Sequence, residues 1–179
     1  MKKTGNLIWM DLEMSGLDPE RHVIMQVGCA VTDSELNMIA EGPALAVHQS
    51  ERDLKSMDSW CIKQHGQSGL TDLVRNSRIS LHEAEQEALR FLKKYCSEGK
   101  SPLCGNSIGQ DRRFLVKYMP RLNDFFHYRN IDVSTIKELV YRWYGPRYQA
   151  PTKNKTHHVL QDIRDSIEEL RHYRRTVFK

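Results

Sequence analysis

The chain has 179 residues, of which 39% are hydrophobic and 28% are charged, with a formal net charge of +4 and a pI near 8.9. This length suits one domain with a substantial core. No apolar stretch reaches the roughly 20 residues of a membrane span, so the composition excludes a membrane-spanning protein. The mild basic excess is compatible with a polyanionic partner but does not require one.

The N-terminus and the cysteines predict a reducing environment. The chain enters its first predicted strand almost at once, without the pattern of a signal peptide. The four cysteines show no CxxC spacing, so neither a zinc site nor a redox pair is indicated, and we interpret them as reduced thiols in or near the core. We therefore expect a cytosolic protein with no membrane partner.

The segment at residues 6–16, NLIWMDLEMSG, combines an apolar run with two acids. Residues 7–10 predict a strand that is buried on both faces. Asp11 and Glu13 are two positions apart, which places both carboxylates on one face of a strand. Because neighbouring buried carboxylates repel each other, either a positive group lies between them or one stays protonated, and a divalent cation such as magnesium is the simplest expectation. The alternative is an acid pair that caps the following turn or pairs with a lysine.

Two further strands and two helix starts follow. Residues 23–32 and 38–48 predict the second and third strands, joined by a turn rich in Asp, Ser and Asn. Ser50 with Asp53, and Ser80 with Glu83, resemble capping boxes that open helices. Apolar residues after Ser80 recur at helical spacing, and we assign these residues to the core.

The second half alternates short strands with helices. Residues 102–106 predict a strand, and the helix that follows carries Asp111 in its first turn and is interrupted or ended by Pro120. Residues 131–133 predict one more strand. Ser134 is predicted to cap the next helix, on whose apolar positions lie Ile136, Leu139, Val140 and Trp143.

A polar, basic segment at residues 147–158 predicts a loop of about a dozen residues, long enough to suggest a functional role. The last helix is predicted to begin near Val159. Strands first and helices interleaved later indicate a single α/β domain over residues 1–179 with a mixed sheet.

Four acids stand where predicted elements begin or end: Asp11, Glu13, Asp111 and Asp162. Four carboxylates can hold two divalent ions, which clamp the attacking and leaving oxygens of a phosphoryl displacement. A histidine five residues before Asp162, His157, can act as a general base. His158 suits this role equally well on chemistry alone. Asp162 has its own alternative, as a solvated partner of Arg164 or Lys155.

The motifs resemble those of a known family. The order DxE, then GNSIGQDRRFL, then HxxxxD is similar to the DEDDh group of 3'-to-5' exonucleases. WMDLEMSGLDPE, LNMIAEGP, CGNSIGQDRRFLVKYMP and HYRNIDVSTIKEL resemble oligoribonucleases over nearly the whole chain. The resemblance implies the ribonuclease H-like fold, with a mixed central sheet flanked by helices. It also implies two magnesium or manganese ions held by the four acids, with His157 as the base.

The family also implies a substrate, namely very short single-stranded RNA and above all dinucleotides, which are cut to nucleoside 5'-monophosphates. Leu17 resembles the family's apolar wedge between two bases, and Trp60 and His65 are expected to stack on a base or flank the scissile phosphate. For Trp60 the alternative is a core aromatic beside Met57.

A preference for short RNA requires a wall at the 5' end. Ser107, Ser134 and Thr135 stand at predicted helix starts, where N–H groups and hydroxyls favour a phosphate. Arg129 can add a bidentate contact. In the family the HYR segment reaches this cap from a second subunit, so Tyr128 and Arg129 imply a homodimer.

Two residues depart from the family pattern, and two other functions stay open. Gln26 and Gln161 stand where relatives usually carry acids, outside the ligand set, and we expect activity to survive both changes. One alternative is a DNA-directed or general single-strand exonuclease of the same fold. The other is a dimer that binds nucleotides without catalysis, which turnover in magnesium would distinguish.

Overall fold

A computed structural model describes residues 5–151 and 158–178. Within these residues, five strands form one sheet in the order β3-β2-β1-β4-β5. The strands are β1 (Leu7–Met14), β2 (Ile24–Thr32), β3 (Met38–Ala46), β4 (Leu103–Gly105) and β5 (Asn130–Asp132). The first three run antiparallel to one another, whereas β4 runs parallel to β1 and β5 parallel to β4. The sheet is therefore mixed, as predicted.

Helices cover both faces of this sheet. They are α1 (Glu51–Lys55), α2 (Ser59–Gln67), α3 (Leu70–Asn76), α4 (Leu81–Leu92), α5 (Ile108–Tyr118), α6 (Pro120–Phe125), α7 (Val133–Tyr144) and α8 (Val159–Thr176). Among the residues the structure describes, no helix is both long and apolar enough to cross a membrane.

The central strand β1 is packed on both of its faces, which explains its continuous apolar run. Ile8, Met10 and Leu12 belong to the core formed with α4, α5 and α6. Trp9 belongs to the second core, formed with α7 and α8. Since successive side chains of a strand alternate between faces, Asp11 follows Trp9 onto the face that α8 covers.

Helix starts in the first half agree with the capping residues predicted from sequence. The Ser50 side chain accepts a hydrogen bond from the Asp53 amide at the start of α1. Ser80 and Glu83 form a complete capping box at the start of α4. Pro120 separates α5 from α6, where it occupies the first turn of a new helix.

Two details of α7 differ from prediction. Its N-cap is Asp132, whose side chain accepts a hydrogen bond from the Ser134 amide, so the assignment of Ser134 as the cap is wrong. Trp143 is 70% exposed, although its spacing placed it with the apolar residues of the helix. Asp132 is favoured over Ser134 as the N-cap because its carboxylate accepts hydrogen bonds from two amides, those of Ser134 and Ser107.

The packing of α8 against β2 depends on a glycine. A Cβ at Gly28 would lie 2.7 Å from Cβ and Cγ2 of Val159, closer than such atoms approach in proteins. Gly28 pairs in register with Asp11 of β1. The missing side chain therefore lets the first turn of α8 lie directly over the part of the sheet that carries Asp11.

Candidate active site

The structure brings three of the four predicted acids into one cluster. Asp11 and Glu13 come from β1, and Asp162 comes from the first turn of α8. Each offers a carboxylate oxygen, and these oxygens all lie within 4.8 Å of one another. The acids lie within β1 rather than beyond its end, because pairing with β2 continues past Glu13.

The fourth acid, Asp111, contacts the main chain of β1 between the two acids of that strand. It lies in the first turn of α5 and is buried. Its Oδ1 accepts a hydrogen bond of 2.9 Å from the Leu12 amide, between the two acids of the strand. This contact orients the Asp111 carboxylate at the backbone that separates Asp11 from Glu13.

Burial and mutual repulsion disfavour full ionisation of the cluster. Burial, followed by the charges of Asp111, Glu13 and Asp162, holds the pKa of Asp11 well above its usual range. Burial, with Asp162 and Asp111, raises the pKa of Glu13 to about 8. Burial raises the pKa of Asp111 to about 7, although its hydrogen bond from Leu12 opposes this shift. A cation among these groups would restore their charged forms.

A cleft of about 540 Å³ opens beside the acids. Its lining includes Asp11, Glu13 and Asp162 together with Ser107, Ser134 and Lys137. Among the described residues, Lys137 is the one basic side chain in this lining. The cleft therefore places oxygen ligands for a cation and hydrogen-bonding groups for an anion in one continuous space.

The two serines are held together by a hydrogen-bond network. Their hydroxyl oxygens lie 3.1 Å apart, and the Ser107 amide donates to both Ser134 Oγ and Asp132 Oδ1 at 3.0 Å. Ser134 donates to Asn106 Oδ1 at 3.1 Å. The ends of β4 and β5 are thereby joined where the predicted phosphate wall lies.

Sequence reasoning missed the residues that tie this wall to α8. The Asn106 amide group donates to Ser166 at 2.9 Å and to Glu169 at 3.3 Å. Glu169 also pairs with Lys137 at 3.2 Å. The position of Asn106 directly after a short strand was the available signal, but its partners are about 60 residues away in sequence.

Leu17 and Trp60 have the exposure that the predicted base contacts require. Their exposed fractions are 68% and 58%. The alternative interpretation of Trp60 as a core aromatic beside Met57 is wrong, because only Met57 is buried. Gln110 of α5 donates to the Leu17 carbonyl, so the turn that carries Leu17 is attached to the helix that carries Asp111.

His65 is buried next to one acid of the cluster, Glu13. The residue is 1% exposed, which contradicts the expected stacking on a base. Its Nε2 lies 2.9 Å from the Met14 carbonyl oxygen, and its Nδ1 lies 3.9 Å from Glu13 Oε2. The other expected role, beside the scissile phosphate, stays a prediction.

The remaining predicted residues divide into three cases. Tyr128 is 73% exposed, with the Arg129 guanidinium 5.2 Å from the centre of its ring, so both project outward. Thr135 is exposed in the first turn of α7. His157 lies outside the described residues, and so does Lys155, one of the alternative partners of Asp162.

Neighbouring residues help to resolve the alternatives for the acids. Arg164, the other alternative partner of Asp162, forms a two-bond ion pair with Glu41 instead. Gln26 pairs in register with Glu13, so the two side chains share a face of the sheet. Gln161 donates to Asp165 at 2.9 Å.

Comparison with known proteins agrees with this geometry. The RNase T family model, which describes exonucleases, matches residues 8–170. An oligoribonuclease of Marinobacter nauticus is 58% identical over 179 residues, covering 100% of this chain and 99% of the relative. An oligoribonuclease of Dichelobacter nodosus is 58% identical over 178 residues, covering 99% and 98% of the two chains.

Solved structures show the same fold at low sequence identity. An Escherichia coli exonuclease I complex with single-stranded DNA, in its zinc-bound form, superposes with a TM-score of 0.76 at 14% identity. The match covers 97% of this chain and 41% of that protein, so this chain spans about two fifths of exonuclease I. The ribonuclease H-like fold expected from sequence is thus confirmed. The chain is a hydrolytic nuclease of the exonuclease type and belongs to the oligoribonuclease family.

Proposed function

We propose that this protein is a 3'-to-5' exoribonuclease that hydrolyses very short RNA, above all dinucleotides, to nucleoside 5'-monophosphates. In this proposal it is a single domain over residues 1–179 that completes RNA degradation in the cytosol. All four cysteines are buried side chains outside any disulfide, which is compatible with a reducing location. The observation that carries the proposal is the cluster of Asp11, Glu13 and Asp162 at the edge of an open cleft.

The residues present fit two divalent cations. The donor set consists of carboxylate oxygens alone, which magnesium and manganese prefer. The raised pKa values of Asp11, Glu13 and Asp111 support this assignment, because a bound cation would stabilise the charged carboxylates that burial and repulsion disfavour. Together with Asp162, these residues would hold the ions. When bound, such ions lower the pKa of a water and offset charge on the phosphate.

The general base in this proposal is His157. Its assignment rests on the family resemblance and on its five-residue offset from Asp162. The base removes a proton from the attacking water, and a histidine titrates near the pH at which this is effective. His158, which is equally suitable on chemistry alone, is the N-cap residue of α8 and is exposed.

Substrate contacts surround the acids. Leu17 and Trp60 offer exposed apolar surface to the bases, where stacking contributes about 1 to 3 kcal/mol per base without selecting sequence. Ser107 and Ser134 offer hydroxyls in the same cleft to a 5' phosphate. Tyr128 and Arg129 complete this cap from a second subunit of a homodimer. A cap of this kind closes the site after one or two nucleotides.

The test compares a labelled RNA dinucleotide with a labelled RNA several times longer, each in magnesium, in manganese and in chelator. We expect rapid, metal-dependent release of mononucleotide from the dinucleotide and slow cleavage of the longer strand. A deoxy-dinucleotide of the same sequence serves as a control for the sugar. Equal or faster cleavage of the long strand would contradict the cap and indicate a general exonuclease. Binding without product in either metal would contradict catalysis.

A further inference from the structure

Arg112 makes an unusual set of contacts for an arginine near the surface. It follows Asp111 on α5, and its guanidinium donates to four oxygen atoms. Two are the main-chain carbonyls of His127 and Tyr128, at 3.0 and 3.1 Å. The other two are the side-chain oxygens of Asn123 and Asn130, at 3.2 and 2.6 Å.

All four acceptors are uncharged, so these contacts do not form an ion pair. Arg112 is partly buried, and this burial lowers the pKa of its guanidinium, which remains charged because an arginine is not deprotonated in proteins. A guanidinium is a rigid planar fork of donors, whereas an ammonium group is a single point. The four contacts therefore fix where the chain passes between α6 and β5.

The chain held in this way is the segment that carries Tyr128 and Arg129. Its main chain is bonded to the segment that precedes β4, because the His127 amide donates to the Ser101 carbonyl at 2.8 Å. The Arg129 amide donates to His127 Nδ1 at 3.1 Å. The rings of His127 and Tyr128 lie 4.4 Å apart, and Arg129 lies over the Tyr128 ring. The side chains thus form an outward stack above a main chain that Arg112 holds from below.

We propose that Arg112 is a positioning residue that holds the His127, Tyr128 and Arg129 segment in the geometry needed to bind the 5' end of a short RNA. The inference rests on the proposed function, in which Tyr128 and Arg129 form part of the cap. Arg112 does not contact substrate itself. It attaches that segment to α5, so the cap that the segment offers to the partner subunit is held on a helix of its own subunit.

The test uses Arg112→Lys, which keeps the positive charge and loses the fork, with Arg112→Gln as a second variant. Arg121→Lys is the matched control, because Arg121 is an exposed arginine on α6, the short helix that also supplies Asn123. Two measurements are made on each: hydrogen exchange of the amides at residues 126–130, and kcat and KM for an RNA dinucleotide. Both are repeated in a Tyr128→Ala, Arg129→Ala background.

For Arg112→Lys we expect faster exchange at residues 126–130 and a KM raised by roughly tenfold to a hundredfold, since misplacing a binding group by about 1 Å can have that effect. We expect kcat to change little. In the Tyr128→Ala, Arg129→Ala background the same substitution should leave KM unchanged, because residues that act through one another are not additive. If Arg112 only stabilised the fold, its replacement would still raise KM in that background.

Three results would overturn the inference. Unchanged exchange at residues 126–130 in both Arg112 variants would show that Arg112 does not hold the segment. Faster exchange with an unchanged KM would show that the segment's position does not matter for substrate. If Arg112→Lys raises KM by the same factor in the Tyr128→Ala, Arg129→Ala background as in the wild type, the effect would come from a general loss of stability. If instead the wild-type protein shows no preference for dinucleotides, the proposed function fails, while the exchange result still decides whether the segment is held.

Discussion

The four acids of the site differ in what the fold does to each. Asp11 and Glu13 are brought together by strand alternation alone. Asp111 is oriented by the Leu12 amide, and Asp162 arrives from a helix whose first turn favours a carboxylate. Because the carboxylate oxygens of Asp11, Glu13 and Asp162 lie within 4.8 Å of one another, we expect their repulsion to lower the stability of the metal-free protein. Functional sites commonly reduce the stability of the protein that carries them.

Removing one acid should therefore abolish activity and stabilise the metal-free fold. For Asp162→Asn we expect the rate of hydrolysis in magnesium to fall by more than about 100-fold. Loss of a residue that only supports a metal ligand costs up to about 100-fold, and loss of a ligand should cost more. We also expect the melting temperature in chelator to rise, because a repelling charge is lost. Glu168→Gln is the control, since Glu168 is exposed on α8 and pairs with Arg171. Retained activity in Asp162→Asn would contradict the proposal that Asp162 is a metal ligand.

The raised pKa of Glu13 predicts how metal-free stability depends on pH. Burial and the charges of Asp162 and Asp111 raise this pKa from 4.5 to about 8. Between these values the folded protein retains a proton that the unfolded chain has lost, so the contribution of Glu13 to stability falls as pH rises. The slope is at most about 1.4 kcal/mol per pH unit. Below the unfolded pKa the contribution is fully present.

The measurement is the free energy of unfolding in chelator at several pH values across this window, for the wild type and for Glu13→Gln. The variant has no titrating group at this position, so its stability should fall less steeply with rising pH. Groups outside the cluster titrate equally in both proteins and cancel in the difference. The pKa of Asp11 is raised less in the variant because the charge of Glu13 is gone, and this flattens the pH profile of the variant further. Parallel pH profiles would show that Glu13 is ionised in the metal-free fold.

At the scale of elements, the site depends on how strands and helices end. The ends of β4 and β5 meet at Asp132, whose Oδ1 accepts from the amides of both Ser107 and Ser134. One carboxylate thus caps α7 and holds the loop that opens α5. Ser134 is then free of the capping role and keeps its hydroxyl in the cleft, bonded to Asn106.

This arrangement predicts that two neighbouring substitutions differ in how much stability they cost. Asp132→Ala should destabilise the fold by about 1 to 2 kcal/mol, the range of a lost N-cap, and should also raise KM because it releases Ser107. Ser134→Ala should affect KM with a smaller loss of stability. Thermal unfolding and steady-state kinetics of both variants measure these effects. A larger loss of stability from Ser134→Ala would restore Ser134 as the cap.

The close approach of α8 to β2 gives a second prediction for an element. Gly28→Ala would place a Cβ 2.7 Å from Val159, so α8 must shift, with a loss of about 1 to 3 kcal/mol. Because Asp162 moves with α8, activity should also fall. Combining Gly28→Ala with Val159→Ala should restore part of both. If the double variant is no better than Gly28→Ala, the contact with Val159 does not explain the effect.

At the scale of the whole molecule, one chain supplies all four acids, but its Tyr128 and Arg129, part of the proposed cap, project into solvent. Tyr128 is among the most exposed large side chains of the protein. An exposed aromatic beside a cation is typical of a residue that binds a partner or a ligand. In a two-fold symmetric dimer, Tyr128 of each subunit would complete the cap of the other subunit's site.

A hybrid dimer tests this arrangement directly. A subunit with Asp162→Asn retains Tyr128, and a subunit with Tyr128→Ala retains all four acids. Each homodimer should be defective, but a hybrid regains one complete site, so random mixing should recover about a quarter of wild-type activity. Native mass spectrometry confirms that hybrids have formed. Hybrids without recovered activity would show that each site is completed by its own subunit.

Local patterns predicted much of this protein, because strands and helix starts obey rules that act over a few residues. The buried strand with Asp11 and Glu13, the capping box at Ser80 and the position of Asp111 in a first turn all follow from spacing and side-chain chemistry. The resemblance to oligoribonucleases extended these patterns to the whole chain, and the comparisons confirm that family.

Only the tertiary structure decided which residues meet across long stretches of sequence. The burial of His65, the capping of α7 by Asp132 and the connection of Asn106 to α8 each depend on groups from separate elements. The same is true of Arg112, whose neighbours in sequence do not reveal the four oxygens it holds. Periodicity reports which face of an element is apolar, but not which polar group of another element lies opposite it. That choice is made by packing, which brings distant hydrogen-bonding groups together and excludes the water that would otherwise satisfy them.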